Sequence, residues 1–273
     1  MRCHVSHVAD GMTQTVFAVP MTCDSCVKDV SETLYKLQGI KKVEANLKDQ
    51  LVSIEGTVAP SAIVEAIQAT GRDAILRGSG TSNSAAVSIL ETYYHRNDQQ
   101  PQHNDDASDF PLTHGDFGPS KRHVRGLARM VQVGDNVTLV DLTLRGVSPG
   151  TYRASIREYG NLAEGATSTG PVWSGPKPGS IPRGALGIFQ VGPDGRGSAF
   201  LDCPFRVWEV IGHAMAVTKQ NERDGQPLRN DEDTVVGVIA RSAGVWDNDK
   251  TVCSCTGKTL WEERRDEVKN GML

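Results

Sequence analysis

Four cysteines in two close pairs carry the chemistry that this sequence offers. Cys23 and Cys26 follow Met21 and Thr22 near the start, and Cys253 and Cys255 flank Ser254 near the end. Thiolates are soft donors, and two of them with few other ligands suit Cu(I). A Cys-x-x-Cys taken alone also fits a thioredoxin-like redox site or half of a zinc site. Two such pairs on one chain suggest that something passes between them. Cys-x-Cys is too tight for an easy disulfide within the pair, and a strained disulfide is an oxidising one. The second pair therefore suits either Cu(I) capture or thiol–disulfide exchange. Of the other two cysteines, Cys203 before Pro204 reads as a small buried hydrophobe, and Cys3 with His4 and His7 lies at a frayed end.

The first pair needs a scaffold, and the surrounding residues predict one. Thr15 to Val19 is a β-rich run stopped by Pro20, which lacks a ladder donor. From Val27 to Leu37, apolar Val27, Val30, Leu34 and Leu37 recur at helical spacing, and Gly39 ends the helix. Lys42 to Asn46 and Leu51 to Glu55 are strands about the polar turn Lys48-Asp49-Gln50. Pro60 and Ser61 open a second helix with Ile63, Val64 and Ile67 on its apolar face. Gly71 ends it, and a strand follows over Asp73 to Leu76. The order is βαββαβ, a split βαβ sandwich. It places Cys23 in the loop after the first strand and Cys26 at the first helical turn. The helix N-terminus carries partial positive charge, which stabilises a thiolate. Two thiolates around Cu(I) leave one negative charge, which Arg72, before the last strand, is placed to offset. Met21 packs inward beneath the loop.

Met-x-Cys-x-x-Cys between strand one and helix one of a βαββαβ unit resembles the heavy-metal-associated domain of copper chaperones and copper-pumping ATPases. The resemblance covers residues 13 to 78.

Composition excludes other classes. The formal net charge of −4 argues against nucleic acid as a partner, and no apolar run is long enough to cross a membrane. Met1 to Met12 contains neither a secretory core nor an Arg-rich transit pattern, so the reducing cytosol is the expected compartment. Gly257-Lys258-Thr259 is no phosphate loop, since Val252 stands where the upstream glycine belongs.

After the small polar linker Gly78 to Ser84 the pattern changes. Short strands over Ala86–Leu90, Gly126–Val133, Val137–Leu144, Thr151–Ile156, Gly197–Leu201, Ala214–Lys219 and Val235–Ile239, with glycine and proline between them, predict an all-β sandwich or barrel. Arg96 to His123 reads as a mobile loop. Arg157-Glu158-Tyr159-Gly160-Asn161, Ala166-Thr167-Ser168-Thr169-Gly170-Pro171 and Gly237-Val238-Ile239-Ala240-Arg241 resemble runs of Cu/Zn superoxide dismutase, a Greek-key barrel. That resemblance puts Ser155, Arg157, Val172 and Thr218 where the enzyme carries metal ligands. A redox copper site needs imidazoles, and only His213 remains in the ordered part of the segment. The fold is expected without the enzyme. The dismutase family pairs through one barrel face, which the resemblance places near Arg241, Ser242, Val245 and Trp246.

In the tail, Thr259 to Lys269 predicts a short charged helix after the Cys-x-Cys. The whole order resembles the copper chaperones for Cu/Zn superoxide dismutase, the fungal members most. The expected layout is a flexible N-terminus at 1–12, a heavy-metal-associated domain at 13–79, a linker at 80–83, a dismutase-like barrel at 84–245 with a mobile insertion at 96–123, and a tail at 246–273. The resemblance implies that Cys23 and Cys26 acquire Cu(I), with Arg72 as charge support. It implies docking on immature dismutase as a heterodimer, and a copper or thiol relay through Cys253 and Cys255. A share in the mitochondrial intermembrane space also follows from it, nucleic acid and membrane do not, and whether the free protein forms a homodimer is left open. Two other classes fit the same residues: a dismutase with atypical ligands, and a copper-storage or resistance protein with no delivery partner.

Overall fold

The structure, a computed structural model, describes residues 4–5, 12–94, 123–175, 182–221 and 227–245, with Lys258, Thr259, Trp261, Glu262, Arg265 and Asp266 from the tail. Trp246, Cys253, Cys255 and the insertion up to Arg122 lie outside the described residues.

A two-residue strand, β1 (His4–Val5), opens the fold, so the expected flexible N-terminus is corrected at these positions. The βαββαβ unit follows as β2 (Thr13–Ala18), α1 (Asp24–Tyr35), β3 (Ile40–Asn46), β4 (Leu51–Gly56), α2 (Pro60–Ala69) and β5 (Ile75–Ser79). Its antiparallel sheet runs β3-β4-β2-β5. Val30 and Leu34 of α1 and Ile63 and Ile67 of α2 bury against Phe17, Val52 and Ile54. Gly39 ends α1's exit turn with φ of 96°, a conformation that a Cβ disfavours. Proline at the start of α2 loses nothing, because a first-turn N–H has no helical acceptor.

The barrel comprises β6 (Ala85–Thr92), β7 (His123–Gly134), β8 (Val137–Leu144), β9 (Gly150–Arg157), β10 (Ala185–Val191), β11 (Gly197–Cys203), β12 (Ala214–Thr218) and β13 (Val235–Val238). Strand order is β11-β10-β9-β12-β13-β6-β7-β8, and β8 pairs back onto β11 to close the ring. A short β14 (Ala240–Ser242) continues along β6 beyond Ile239, which turns fully inward. This is a closed Greek-key barrel of the kind that the dismutase resemblance implies, packed around Tyr152, Ile156, Trp173, Phe205, Leu142 and Met130. Closure removes free sheet edges. One stretch of edge remains where β10 touches β11 only at Val191–Gly197, and β1 pairs there, His4 opposite Asp202.

Two expectations need correction. Strand β10 was not foreseen, because Gly184 and Gly187 make its sequence look like a turn. His123 begins β7 and is no loop residue. Cys203 is buried in the barrel core as expected, but it is also disulfide-bonded. Trp261–Glu262 and Arg265–Asp266 are helical, and Thr259 caps them reciprocally with Glu262. Among the described residues no helix is long and apolar enough to cross a membrane.

The loop before β13 is pinned by one carboxylate. Asp233 accepts the Tyr152 hydroxyl at 2.7 Å and the Ser148 amide and hydroxyl at 2.9 and 2.6 Å, and pairs with Lys219 at 3.0 Å. Burial alone would push its carboxyl up; these bonds outweigh burial and hold it at about 2. A depressed carboxylate stabilises the fold above its unfolded pKa, about 3.9, and that contribution fades as pH falls through the folded value. Acid unfolding followed by tryptophan fluorescence should therefore be less steep between about pH 4 and 2 in Asp233→Asn than in the parent.

Candidate metal centre

Strand β2 delivers the chain to the metal loop, and Pro20 ends its pairing. Met21 is buried under the loop, its carbonyl accepting from Gln50, so it belongs to the core. Cys23 is the N-cap of α1, with extended φ and ψ of −159° and 167°. Its carbonyl accepts the Cys26 amide at 3.0 Å, which folds Cys26 back beside it. The two sulfurs are 3.4 Å apart and both thiols are free. Cys23 is exposed and Cys26 half-buried. The Val27 amide donates to the Cys23 carbonyl at 3.3 Å, and the Cys23 side chain makes no capping bond, so its thiol is not engaged with the backbone of the first helical turn.

The Cys26 thiol is pulled down to about 6. The Thr22 backbone contributes most, then the Arg72 guanidinium, the Thr22 hydroxyl and the Cys23 sulfur, against a small opposing effect of burial. Arg72 is therefore no free surface charge. It hydrogen-bonds Cys26, donates to Asp29 at 2.6 Å and to the Thr70 carbonyl at 3.2 Å. Thr22 and Asp29 were not singled out from the sequence. Asp29 stands three residues after Cys26, which puts both on one helix face, and that spacing was the available signal.

Among its described residues the barrel has nothing comparable. Ser155 and Arg157 point to one side of β9, and Val172 bridges to Arg157. Arg157 is fully buried; its Nε donates to the Gly170 carbonyl at 3.1 Å, Nη2 donates to the same oxygen, and Nη1 reaches Ser155 Oγ at 3.4 Å. Thr218 is bonded to Thr234 at 2.7 Å, and Gln220 donates to Thr234 at 2.8 Å. His213 has its Nδ1 2.9 Å from the Arg157 carbonyl and its ring against Trp173. Among the described residues no three His, Cys, Asp or Glu side chains gather as a metal site.

Comparison with known proteins places this arrangement. The heavy-metal-associated domain family matches residues 15–73. The Superoxide dismutase 1 copper chaperone of Debaryomyces hansenii is 41% identical over 271 residues, covering 95% of this chain and 97% of that protein. Its counterpart from Saccharomyces cerevisiae is 39% identical over 266 residues, covering 95% and 97%. The human Copper chaperone for superoxide dismutase is 32% identical over 268 residues, covering 91% and 88%. The chain belongs to the superoxide dismutase copper chaperone family.

Within this family member, the residues expected at a partner face divide. Arg241 is exposed and donates to Asn83 at 3.3 Å, and Ser242 pairs opposite Ala85. Val245 instead lies against the βαββαβ unit, its amide donating to the Gly80 carbonyl at 2.8 Å. Beside Arg241 runs an apolar surface that the sequence reading passed over. Val238 is 38% exposed and Ile89 52% exposed, on neighbouring strands, with Tyr159 at 56%. Alternation along the strand gives Ile239 to the core and Val238 to the surface.

The thiol geometry predicts reactivity. Alkylation of Cys26 by iodoacetamide should rise with a midpoint near the about-6 value. Arg72→Ala should move that midpoint upward, because it removes a positive charge from beside the thiolate. An unmoved midpoint in peptide-resolved mass spectrometry would show that Arg72 serves Asp29 alone.

Proposed function

We propose that this protein acquires Cu(I) on Cys23 and Cys26, docks its barrel on an immature Cu/Zn superoxide dismutase subunit, delivers the metal and promotes the target's disulfide. One observation carries the reading. A free thiol pair with its sulfurs 3.4 Å apart sits at a helix N-terminus beside Arg72, on the same chain as a dismutase-like barrel closed by Arg157. The names of the relatives support it, since each is called a copper chaperone for superoxide dismutase or for superoxide dismutase 1.

Two thiolates and Cu(I) carry one net negative charge. The Arg72 guanidinium and the positive end of the α1 dipole offset it without adding a ligand. Low coordination number is the useful property. An incoming thiolate can bond to the metal before a resident one leaves, so copper moves without being released. Cys253 and Cys255 are the relay: as a dithiol they accept Cu(I). As a disulfide they accept two electrons from a target dithiol, which becomes the disulfide while the tail is reduced. Docking uses the face bearing Val238, Ile89 and Arg241, giving a heterodimer in the cytosol. A soft, exposed thiol pair suits a reducing compartment.

Replacing both Cys23 and Cys26 by serine should abolish high-affinity Cu(I) binding at the metal loop in competition with a Cu(I) chelator, and unchanged affinity in residues 1–79 would end this proposal. For docking, Arg241→Glu combined with Val238→Asp should weaken the complex at least tenfold in sedimentation, about 1.4 kcal/mol, while copper uptake stays intact. The tail is tested by Cys253→Ser with Cys255→Ser. Copper uptake and docking should survive, and activation of metal-free dismutase at limiting copper should stop. Activation at the parent rate would make the tail structural.

A further inference from the structure

The loop after β9, residues 158–171, carries an exposed tyrosine to the docking face. A bridge between Arg157 and Val172 closes its base. Above the bridge, the Glu158 amide donates to the Pro171 carbonyl and the Tyr159 amide to the Thr169 carbonyl, both at 2.9 Å. The Tyr159 ring rests on Gly170, whose φ of 75° and missing Cβ make room for it, and it stays 56% exposed. Gly160 packs so close to the Gly212 carbonyl that a Cβ would collide with it. The Gly212 amide in turn donates to the Ile239 carbonyl at 2.9 Å. Tyr159 therefore stands at the edge of the surface formed by Val238 and Ile89.

Beyond this neck the loop is shaped by short polar side chains. Ser168 Oγ accepts the Glu164 amide at 3.1 Å and donates to the Asn161 and Gly165 carbonyls at 3.0 and 3.1 Å. Thr169 Oγ1 donates to the Ala166 carbonyl at 2.7 Å. These bonds tie the loop to itself. Its tie to the rest of the barrel comes from far away in sequence. Asn230 accepts the Ala166 amide on Oδ1 at 2.8 Å and donates from Nδ2 to the Glu164 carbonyl at 2.9 Å. A carboxamide carries both an acceptor and a donor, which a carboxylate does not.

Asn230 is itself fixed from both sides. Leu228 is buried with Ala216 of β12 and Val236 of β13, and Ala166 joins the same cluster. Gln220 accepts the Arg229 amide at 3.1 Å and donates to the Arg229 carbonyl and to Asp231, each at 2.7 Å. The clamp is thus anchored to the barrel wall before it reaches the loop.

We infer that Asn230 is a positioning residue for docking: by clamping the 164–166 turn to the barrel it fixes the loop that presents Tyr159 to the incoming dismutase subunit. This rests on the docking reading above. A partner that met a loose loop would have to order it on binding, and that ordering costs affinity. The thiol pair lies in the other unit and does not depend on the clamp.

The test uses the full chain and metal-free, disulfide-reduced Cu/Zn superoxide dismutase. Asn230→Ala should raise hydrogen exchange at the Ala166 amide by about tenfold. It should weaken the complex in sedimentation by about fivefold, the scale of one lost hydrogen bond. Cu(I) affinity in chelator competition and the near-ultraviolet circular dichroism of the barrel should match the parent. Asn230→Asp keeps the acceptor and loses the donor, so it should fall between the two on both readouts; it carries the comparison if the alanine variant disturbs the barrel's spectrum. Tyr159→Ala should weaken docking at least as much, and Asn230→Ala added to it should cost nothing further. That non-additivity separates positioning from a merely structural role, whose loss would add whatever stands at position 159. Parental docking by an Asn230→Ala chain overturns the inference, as do unchanged exchange at Ala166 and additive losses in the double variant. A parent chain that binds no dismutase sinks the docking reading and this inference with it; a parent that binds confines any failure to Asn230.

Discussion

Two thiolates cannot sit side by side at a protein surface without positive charge close at hand. At 3.4 Å their repulsion is unfavourable even in water, and a monovalent metal ion held between them would cancel only one of the two charges. Most of the first unit is arranged around this constraint. The β2–α1 turn sets both sulfurs at the positive end of α1, and Arg72 arrives from the loop between α2 and β5, far away in sequence. The sheet β3-β4-β2-β5 is what brings these two loops to the same end. Asp29 then holds the guanidinium from α1 itself, so the charge support is tied to the helix that it serves.

A carrier must bind strongly and still let go. A third or fourth ligand would tighten the grip, but it would also block the approach of an acceptor thiolate. The described structure keeps other donors away from the pair. Met21 is locked in the core by Phe17, Val19 and Leu34, and Thr22 and Ser25 offer hydroxyls, which are poor ligands for a soft ion. Strength comes from the electrostatic surroundings, and lability from the small number of ligands.

How much of this was legible in the residues depended on the range of each interaction. The βαββαβ order followed from local signals: helical spacing at Val27, Val30, Leu34 and Leu37, and stops at Gly39 and Gly71. Cys23 and Cys26 were placed correctly for the same reason. Long-range pairings were not legible. Nothing near Asp141 says that it will cap Ser61, since the two are eighty residues apart and belong to different units. Strand β1 is two residues long and exists only because β10 leaves an edge of β11 open. Strand β10 itself was hidden by glycines that are required by close packing: a Cβ at Gly184 would meet the Ile156 carbonyl at 2.5 Å.

The barrel shows how a fold can be kept while its old chemistry is closed off. Losing histidines alone would leave a polar hollow, and unsatisfied polar groups in such a place are costly. Here the positions that the dismutase resemblance gives to ligands are filled and bonded. Arg157 ties β9 to the Gly170 loop through its guanidinium, and Thr218, Thr234 and Gln220 satisfy one another. The guanidinium also places a permanent positive charge inside the barrel wall. A positive charge at that position disfavours a second cation there. A carrier whose own barrel resembles its target's needs this discrimination, because copper held in the carrier would never arrive. Replacing metal ligands by a buried cation meets both needs at once: the loop stays anchored, and the positions that the resemblance gives to copper and zinc ligands are taken by Ser155, Arg157, Val172 and Thr218.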